Sequence, residues 1–208
     1  MGFVAPDLLV ESRLRAGILA ICENPDLLDD PFENFDPRGV AEVKGFFLKR
    51  DIPVRSGYPV LGTTAPCILV QLAPKQEEAE RQPIGPLDMY HDEGALITVK
   101  AAPFRSTVRI ICLGNNQPEA TFVALAVEWL LLAERDVLEQ YGLLEQTLAV
   151  YDFEPVPQVS NPQDIWFQRI VTVNSTHWDT WRYGQGPLIA GVTVDAYATL
   201  VDLATPWG

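Results

Sequence analysis

The chain has 208 residues, with 28 acidic against 15 basic side chains and a formal net charge of −13. That balance argues against a nucleic-acid groove, because phosphate binding needs clustered Lys and Arg. Hydrophobic residues make up 48% of the chain, so one domain of this length buries a core without a disulfide or metal staple. The 17 Pro and 14 Gly imply many turns and long ordered connections. Cys22, Cys67 and Cys112 are odd in number, far apart and outside any CxxC spacing. They read as buried thiols in a reducing cytoplasm rather than metal or redox groups. The start of the chain lacks a basic region followed by an apolar core, so no secretory signal is expected. Pro6 stands where myristoylation wants Ser or Thr.

In chain order, the spacing predicts a helix over 7–23. Asp7 is its expected cap, and Leu8, Leu9, Leu14, Ile18, Leu19 and Ile21 supply the apolar stripe. The Asp-, Pro- and Phe-rich stretch 24–45 reads as an ordered loop, and Gly45 to Lys49 as a strand. A turn-rich connector, Ile52 to Ala65, leads into a clear strand, Pro66 to Leu72. Lys75 to Asp92 reads as a loop or hairpin tip. Ala95 to Ala101 and Thr107 to Leu113 read as strands on either side of Pro103, able to pair as a hairpin.

Gly114-Asn115-Asn116 stops the second strand. Asn116 with Glu119 is a capping-box pattern, and Pro118 falls in the first turn. One long helix is expected from there to Gly142, its C-cap. Its apolar side chains, Phe122 to Leu132, point in nearly every direction. A helix apolar all round is buried on all sides or spans a membrane, and this run is too short for the ~20 residues of a span. It therefore calls for a second apolar partner, which in a chain this small points to another copy. Leu148 to Phe153 follows, then a stiff connector with Pro155, Pro157 and Pro162. Asp164 to Val173 alternates as a half-buried strand. Thr176 to Gly184 reads as an aromatic turn, and Leu188 to Leu203 as a strand or an irregular arm. The fold class expected is α+β. A largely antiparallel sheet of four or more strands packs on the N-terminal helix and one long central helix, with Pro-rich loops and a C-terminal arm. Residues 1–208 form one domain, with a core over 7–175 and an extension over 176–208.

No catalytic, cofactor or metal site is expected. His91 and His177 are too few for a His-rich zinc site. His177 with Asp179 reads as a hydrogen-bonded loop His beside Trp178 in preference to a metal or acid–base pair. No G-x-S-x-G, P-loop or dinucleotide fingerprint occurs. Partner contacts are the more natural use of the conspicuous residues. Glu77, Glu78, Glu80 and Arg81 form a mixed-charge run able to pair with a neighbour. Trp129, Trp178, Trp181 and Arg182 are of the types that anchor protein interfaces, and Trp166 reads as core.

The order of these parts resembles the neck proteins of tailed bacteriophages, in particular the tail terminator, or tail completion, family. The likeness spans roughly residues 8–175. It rests on the short N-terminal helix, Pro66 to Leu72, the charged loop, Thr107-Val108-Arg109-Ile110, Asn116-Gln117-Pro118-Glu119 opening a Leu-rich helix that ends near Arg135 to Gly142, and the strand with Phe167 and Arg169. The resemblance implies a structural virion protein assembled in the host cytoplasm as a homo-oligomeric, hexameric ring. Such a ring caps the tail tube, with or without a sheath, and joins it to the head-side connector or stopper. DNA would pass through its lumen without sequence-specific binding, and no membrane is involved. A head-completion adaptor on the portal side is the alternative within this class. A small hydrolase with an unrecognised site is the alternative outside it.

Overall fold

The computed structural model describes residues 4–60, 62–77, 89–92, 95–159, 161 and 164–184, with side chains described outside 89–101 and 180–184. The fold is α+β. Helix α1 spans Pro6–Glu23 and is opened by Pro6 itself. Asp7 lies inside the first turn and Ala5 is the N-cap, so the expected Asp7 cap is not made. Val10, Leu14, Ile18 and Ile21 recur every three or four residues and are buried. Leu8 and Leu19, expected in the same stripe, lie on the opposite face and are each 58% exposed.

After a 3-10 turn at Pro25–Leu28, helix α2 runs Pro37–Leu48. This corrects both the loop expected up to residue 45 and the strand expected at Gly45 to Lys49. Asp36 starts the helix by accepting the N–H groups of Arg38 and Gly39 at 2.8 and 3.0 Å, with Pro37 at the first position. Val43 and Phe47, four residues apart, form its buried face. Lys44 reaches back to Asp26 and Asp29 at 2.8 and 2.7 Å and pins the helix to the 3-10 turn.

Eight strands follow among the described residues: β1 Val54–Ser56, β2 Cys67–Leu72, β3 Gln76–Glu77, β4 Met89–Asp92, β5 Ala95–Gly114, β6 Leu144–Val150, β7 Glu154–Pro157 and β8 Ile165–Gly184. They form one sheet in the order β1-β2-β5-β8-β6, with β3 and β4 pairing β5 and β7 pairing β8. β1 lies parallel to β2 and the remaining pairs are antiparallel. The connector 52–65 thus holds a strand that its Pro and Gly content concealed.

Two expectations fail at β5 and β8. β5 passes through Pro103 as one strand of 20 residues, so there is no hairpin there. Pro103 pairs with Trp178 on one side, and the other edge carries no described strand between Thr98 and Phe104. A missing N–H costs little at such an open position. β8 also has 20 residues. Thr176 to Gly184 is therefore strand, not turn, and β8 crosses residues 175 and 176 unbroken. At about 3.3 Å per residue each strand reaches about 65 Å.

Helix α3, Gln117–Ala133, lies on the sheet. Its length is about 25 Å, so β5 and β8 overrun the helical layer as a paired arm. Gly114 makes the strand-to-helix joint. A Cβ there would lie 2.5 Å from the Ala120 backbone nitrogen. The expected single helix to Gly142 breaks at Glu134 into α3 and the short α4, Arg135–Gln140. Gly142 does end it. With φ of 97°, its N–H bonds to the Glu139 carbonyl, and the Leu143 N–H bonds to that of Leu138. This pair of bonds is the Schellman arrangement.

The main core joins α1 and α3 to one face of the sheet, through Ile68, Val70, Val108, Ile110, Cys112, Val171 and Val173. The alternate residues, Cys67, Leu69, Ile111 and Leu113, form a smaller cluster with Trp166 on the other face. Trp166 is thus core, as the sequence implies. Besides the sheet, α3 packs against α1 of the same chain. Gly17 lets the two approach so closely that a Cβ on it would lie 2.5 Å from Leu130 Cδ2. Ala120, Val123, Ala124, Ala126, Val127, Leu130 and Leu131 are buried between sheet and helix.

Candidate interface and a buried polar cluster

The apolar residues that α3 leaves over lie on one side. Phe122, Leu125 and Trp129 are only partly buried, and Leu132 is 50% exposed. Their spacing of three, four and three residues makes a continuous stripe. Phe122 is partly occupied by Phe46 of α2, with ring centroids 5.8 Å apart. Trp129, expected at an interface, is partly buried against the main core of its own chain.

The other expected interface residues fall on the arm or outside the described residues. Glu77 is exposed on β3, opposite Phe104 of β5. Trp178 is half-buried on β8 opposite Pro103. Trp181 and Arg182 occupy β8 positions opposite Lys100 and Val99. Glu78, Glu80, Arg81 and the segment Leu188 to Leu203 lie outside the described residues. The fold thus brings Glu77, Trp178, Trp181 and Arg182 to one half of the sheet and keeps Trp129 with the helices.

The arm also holds a buried polar cluster. On the helix-side face of β5 and β8, successive rungs are Ser106/Ser175, Phe104/His177 and Ala102/Asp179. The two serine hydroxyls are 3.2 Å apart. His177 is 0% exposed and Asp179 2%. The imidazole stacks on Phe104, with centroids 6.0 Å apart and planes at 21°. Asp179 Oδ1 accepts the backbone N–H of Val4 at 3.0 Å, and Oδ2 accepts Lys75 Nζ. Lys75 Nζ also sits 4.5 Å from the centre of the Phe104 ring, a cation–π contact.

Neither ring nitrogen of His177 has a hydrogen-bond partner. Nε2 is 3.8 Å from Asp179 Oδ1, beyond hydrogen-bond distance. The expected hydrogen-bonded loop His is instead an unbonded strand His. Burial first, and then the Lys75 charge, push its pKa below the ordinary 6.5, while Asp179 pulls it up. His177 and Asp179 are closed off from solvent, while Lys75 and Phe104 at the edge of the cluster are partly exposed. Among the described residues no three His, Cys, Asp or Glu side chains are grouped to hold a metal ion. The sequence signal for it was the alternation of Ser175, His177 and Asp179 in step with Val171 and Val173.

A concave feature of about 510 Å³ lies between α2 and the start of α3. Phe46, Lys49, Arg50, Pro118, Glu119 and Phe122 line it. Arg50 pairs with Glu119 Oε1 at 2.8 Å, and Glu119 Oε2 accepts the Asn115 N–H at 3.0 Å. The expected capping box is thus shifted by one residue. Asn116 accepts the Glu119 N–H at 2.9 Å, but Glu119 returns the bond to Asn115.

The thiols match their expected burial in part. Cys67 and Cys112 are buried and Cys22 is half-buried. Desolvation pushes the Cys67 pKa up to about 11 and raises that of Cys112 further still. Among the described residues no helix is long and apolar enough to cross a membrane. Comparison with known proteins finds no matching family model, and no curated protein matches the chain at a significant level.

Proposed function

We propose that the chain is a structural subunit of a tailed-bacteriophage neck, a tail-terminator ring protein that ends the tail tube and meets the head-side connector. The overrun of β5 and β8 beyond the helices carries this proposal. A subunit that repeats head to tail needs two different surfaces, one to present and one to receive. The arm supplies a protruding surface, and the Leu125, Trp129 and Leu132 stripe supplies a partly apolar one at a different place. The order of segments supports the same role, since α1, β2, β5, the Asn116-capped α3 and β8 follow one another as in the resemblance. A net charge of −13 suits a ring around DNA, because like charge keeps the polyanion from sticking.

The test is the particle itself. Phage assembled without this chain should carry overlong tails that fail to join heads. Normal-length tails firmly attached to heads would reject the proposal. Normal tails left unattached would instead point to the portal-side adaptor. In solution, light scattering of the chain mixed with its tube protein should report a multimer.

A further inference from the structure

We infer that the outer edge of β6, at Leu148 to Val150, receives an added strand from a basic, extended segment of another protein. This site is independent of the ring proposed above and separate from both the arm and the α3 stripe.

A strand at the rim of a sheet bares a row of backbone donors and acceptors, and folded chains close such rows. Away from the arm, this sheet closes its rims by several means. On β1, Arg15 donates to the Val54 carbonyl at 3.2 Å. Beyond β7, the Gln158 N–H bonds to the Asp164 carbonyl in the same ladder. That phasing puts Pro155 and Pro157 at outward positions, with no N–H to offer. At the start of β6, Arg135 donates to the Gln146 carbonyl at 3.4 Å, and the Gln146 side chain donates to the Arg135 carbonyl at 3.1 Å. Between these closures lies an open window. The Tyr151 N–H bonds to the Ile170 carbonyl at 2.8 Å. In an antiparallel ladder Thr147, Ala149 and Tyr151 then face β8, while Leu148 and Val150 turn their N–H and C=O groups outward. No described strand lies beyond them.

The side chains around the window select the occupant. Leu148 and Val150 are only partly buried against the core, which leaves apolar surface beside them for a β-branched neighbour. Thr147, Ala149 and Tyr151 point to the other face and are exposed, Tyr151 by 54%. A phenol ring takes a cation on its face. Exposed carboxylates flank the window on α4 and along β6 and β7: Asp136, Glu139, Glu145, Asp152 and Glu154. The nearby cations are already engaged, Arg135 on Gln146 and Arg169 over the Phe153 ring at 5.2 Å from its centre. A second copy, with 28 acidic against 15 basic side chains, meets repulsion here, and a basic strand meets attraction.

The probe is a capped peptide of four Lys-Val repeats, which as a strand puts Val on one face and Lys on the other. Added to the uniformly ¹⁵N-labelled chain, it should shift the amide signals of Leu148 and Val150. At a concentration about ten times its dissociation constant it should slow their hydrogen exchange about tenfold. Ala149 and Tyr151, already bonded to β8, should keep their protection. The same peptide methylated at every backbone nitrogen keeps the charge and loses the donors, and a peptide of four Glu-Val repeats keeps the donors and reverses the charge. Neither should protect Leu148 or Val150. Val150→Pro should abolish binding of the Lys-Val peptide with the fold intact, since the N–H it removes points out of the sheet. Should that variant not fold, the methylated peptide decides on the native chain. Equal protection by the methylated or the Glu-Val peptide overturns the inference. So does a Lys-Val peptide that leaves both amides unprotected. Amides of Leu148 and Val150 as protected as that of Ala149 before any peptide is added overturn it as well.

Discussion

Single residues set the tightest limits in this fold, and Gly114 is the clearest of them. A methyl group there would meet the backbone of the α3 first turn at 2.5 to 3.0 Å, and backbone cannot swing aside as a side-chain tip can. Gly114→Ala should destabilise the chain by about 1–3 kcal/mol, the usual cost of overpacking, read as a lower urea midpoint at unchanged slope. Gly45, with nothing within 4 Å of its missing Cβ, is the internal control. Gly45→Ala should be neutral or stabilising by up to about 1 kcal/mol through helix propensity. The thiols give a second test. Burial raises the pKa of Cys67 to about 11 and that of Cys112 beyond it, so neither forms thiolate near neutrality. A thiol reagent at about pH 8, just below the free-thiol pKa, should label Cys22 slowly in the native chain and the other two only after unfolding. Fast labelling of Cys112 would contradict its place in the core. His177 adds a pH dependence whose sign follows from its lowered pKa. The unfolded chain takes up the proton near pH 6.5 while the folded chain resists it. Stability is therefore full above about pH 6.5 and falls, by at most about 1.4 kcal/mol per pH unit, down to the folded pKa. His177→Phe should remove that slope in pH-dependent denaturation, since it keeps the stack on Phe104 and has no nitrogen to protonate.

At the scale of elements, legibility tracked how local the deciding interaction is. The β2 strand, the Asn116 start of α3 and the Gly142 stop are governed by neighbours in sequence, and each could be read directly. Helix α2 is equally local, through Asp36-Pro37, but the apolar Phe46-Phe47-Leu48 run also fits a strand. A run that short has no periodicity to distinguish the two. Pro103 and the aromatic stretch 176–184 are hard to read for the opposite reason. Their conformation is set by pairing with each other across the sheet, at a separation of about 75 residues that no local pattern shows. The all-round apolarity of α3 is legible in the sequence, and part of its cause is α1, whose close approach depends on Gly17. That contact can be tested by a reversal of sign. Gly17→Ala gains up to about 1 kcal/mol of helix propensity but forces Leu130 aside at about 1–3 kcal/mol, so the single change should destabilise. In a Leu130→Ala background the obstruction is gone and the propensity remains, so the same change should stabilise. Denaturation of the four chains gives both signs, and equal effects in the two backgrounds would rule out the contact.

For the whole molecule, the question is which force would bring copies together. With 28 acidic and 15 basic side chains, any two copies repel at long range. That repulsion is screened beyond about 10 Å at 0.1 M salt and beyond about 3 Å at 1 M. Attraction through the Leu125, Trp129 and Leu132 stripe is apolar and is not weakened by simple salts. Attraction between opposite charges would be weakened by the same screening. If the stripe is the receiving surface, the multimer fraction seen by light scattering should rise from about 0.02 M to about 0.5 M sodium chloride, as the Debye length shrinks. Trp129→Ser should remove the multimer at both concentrations. Its far-ultraviolet spectrum should stay native, because Trp129 is only partly buried and the core beneath it is formed by Val123, Val127 and Leu130. A multimer that instead dissolves as salt is added would locate the contact in ion pairs. The arm, with Glu77 and Arg182 on its strands, would then be the surface that holds the copies together.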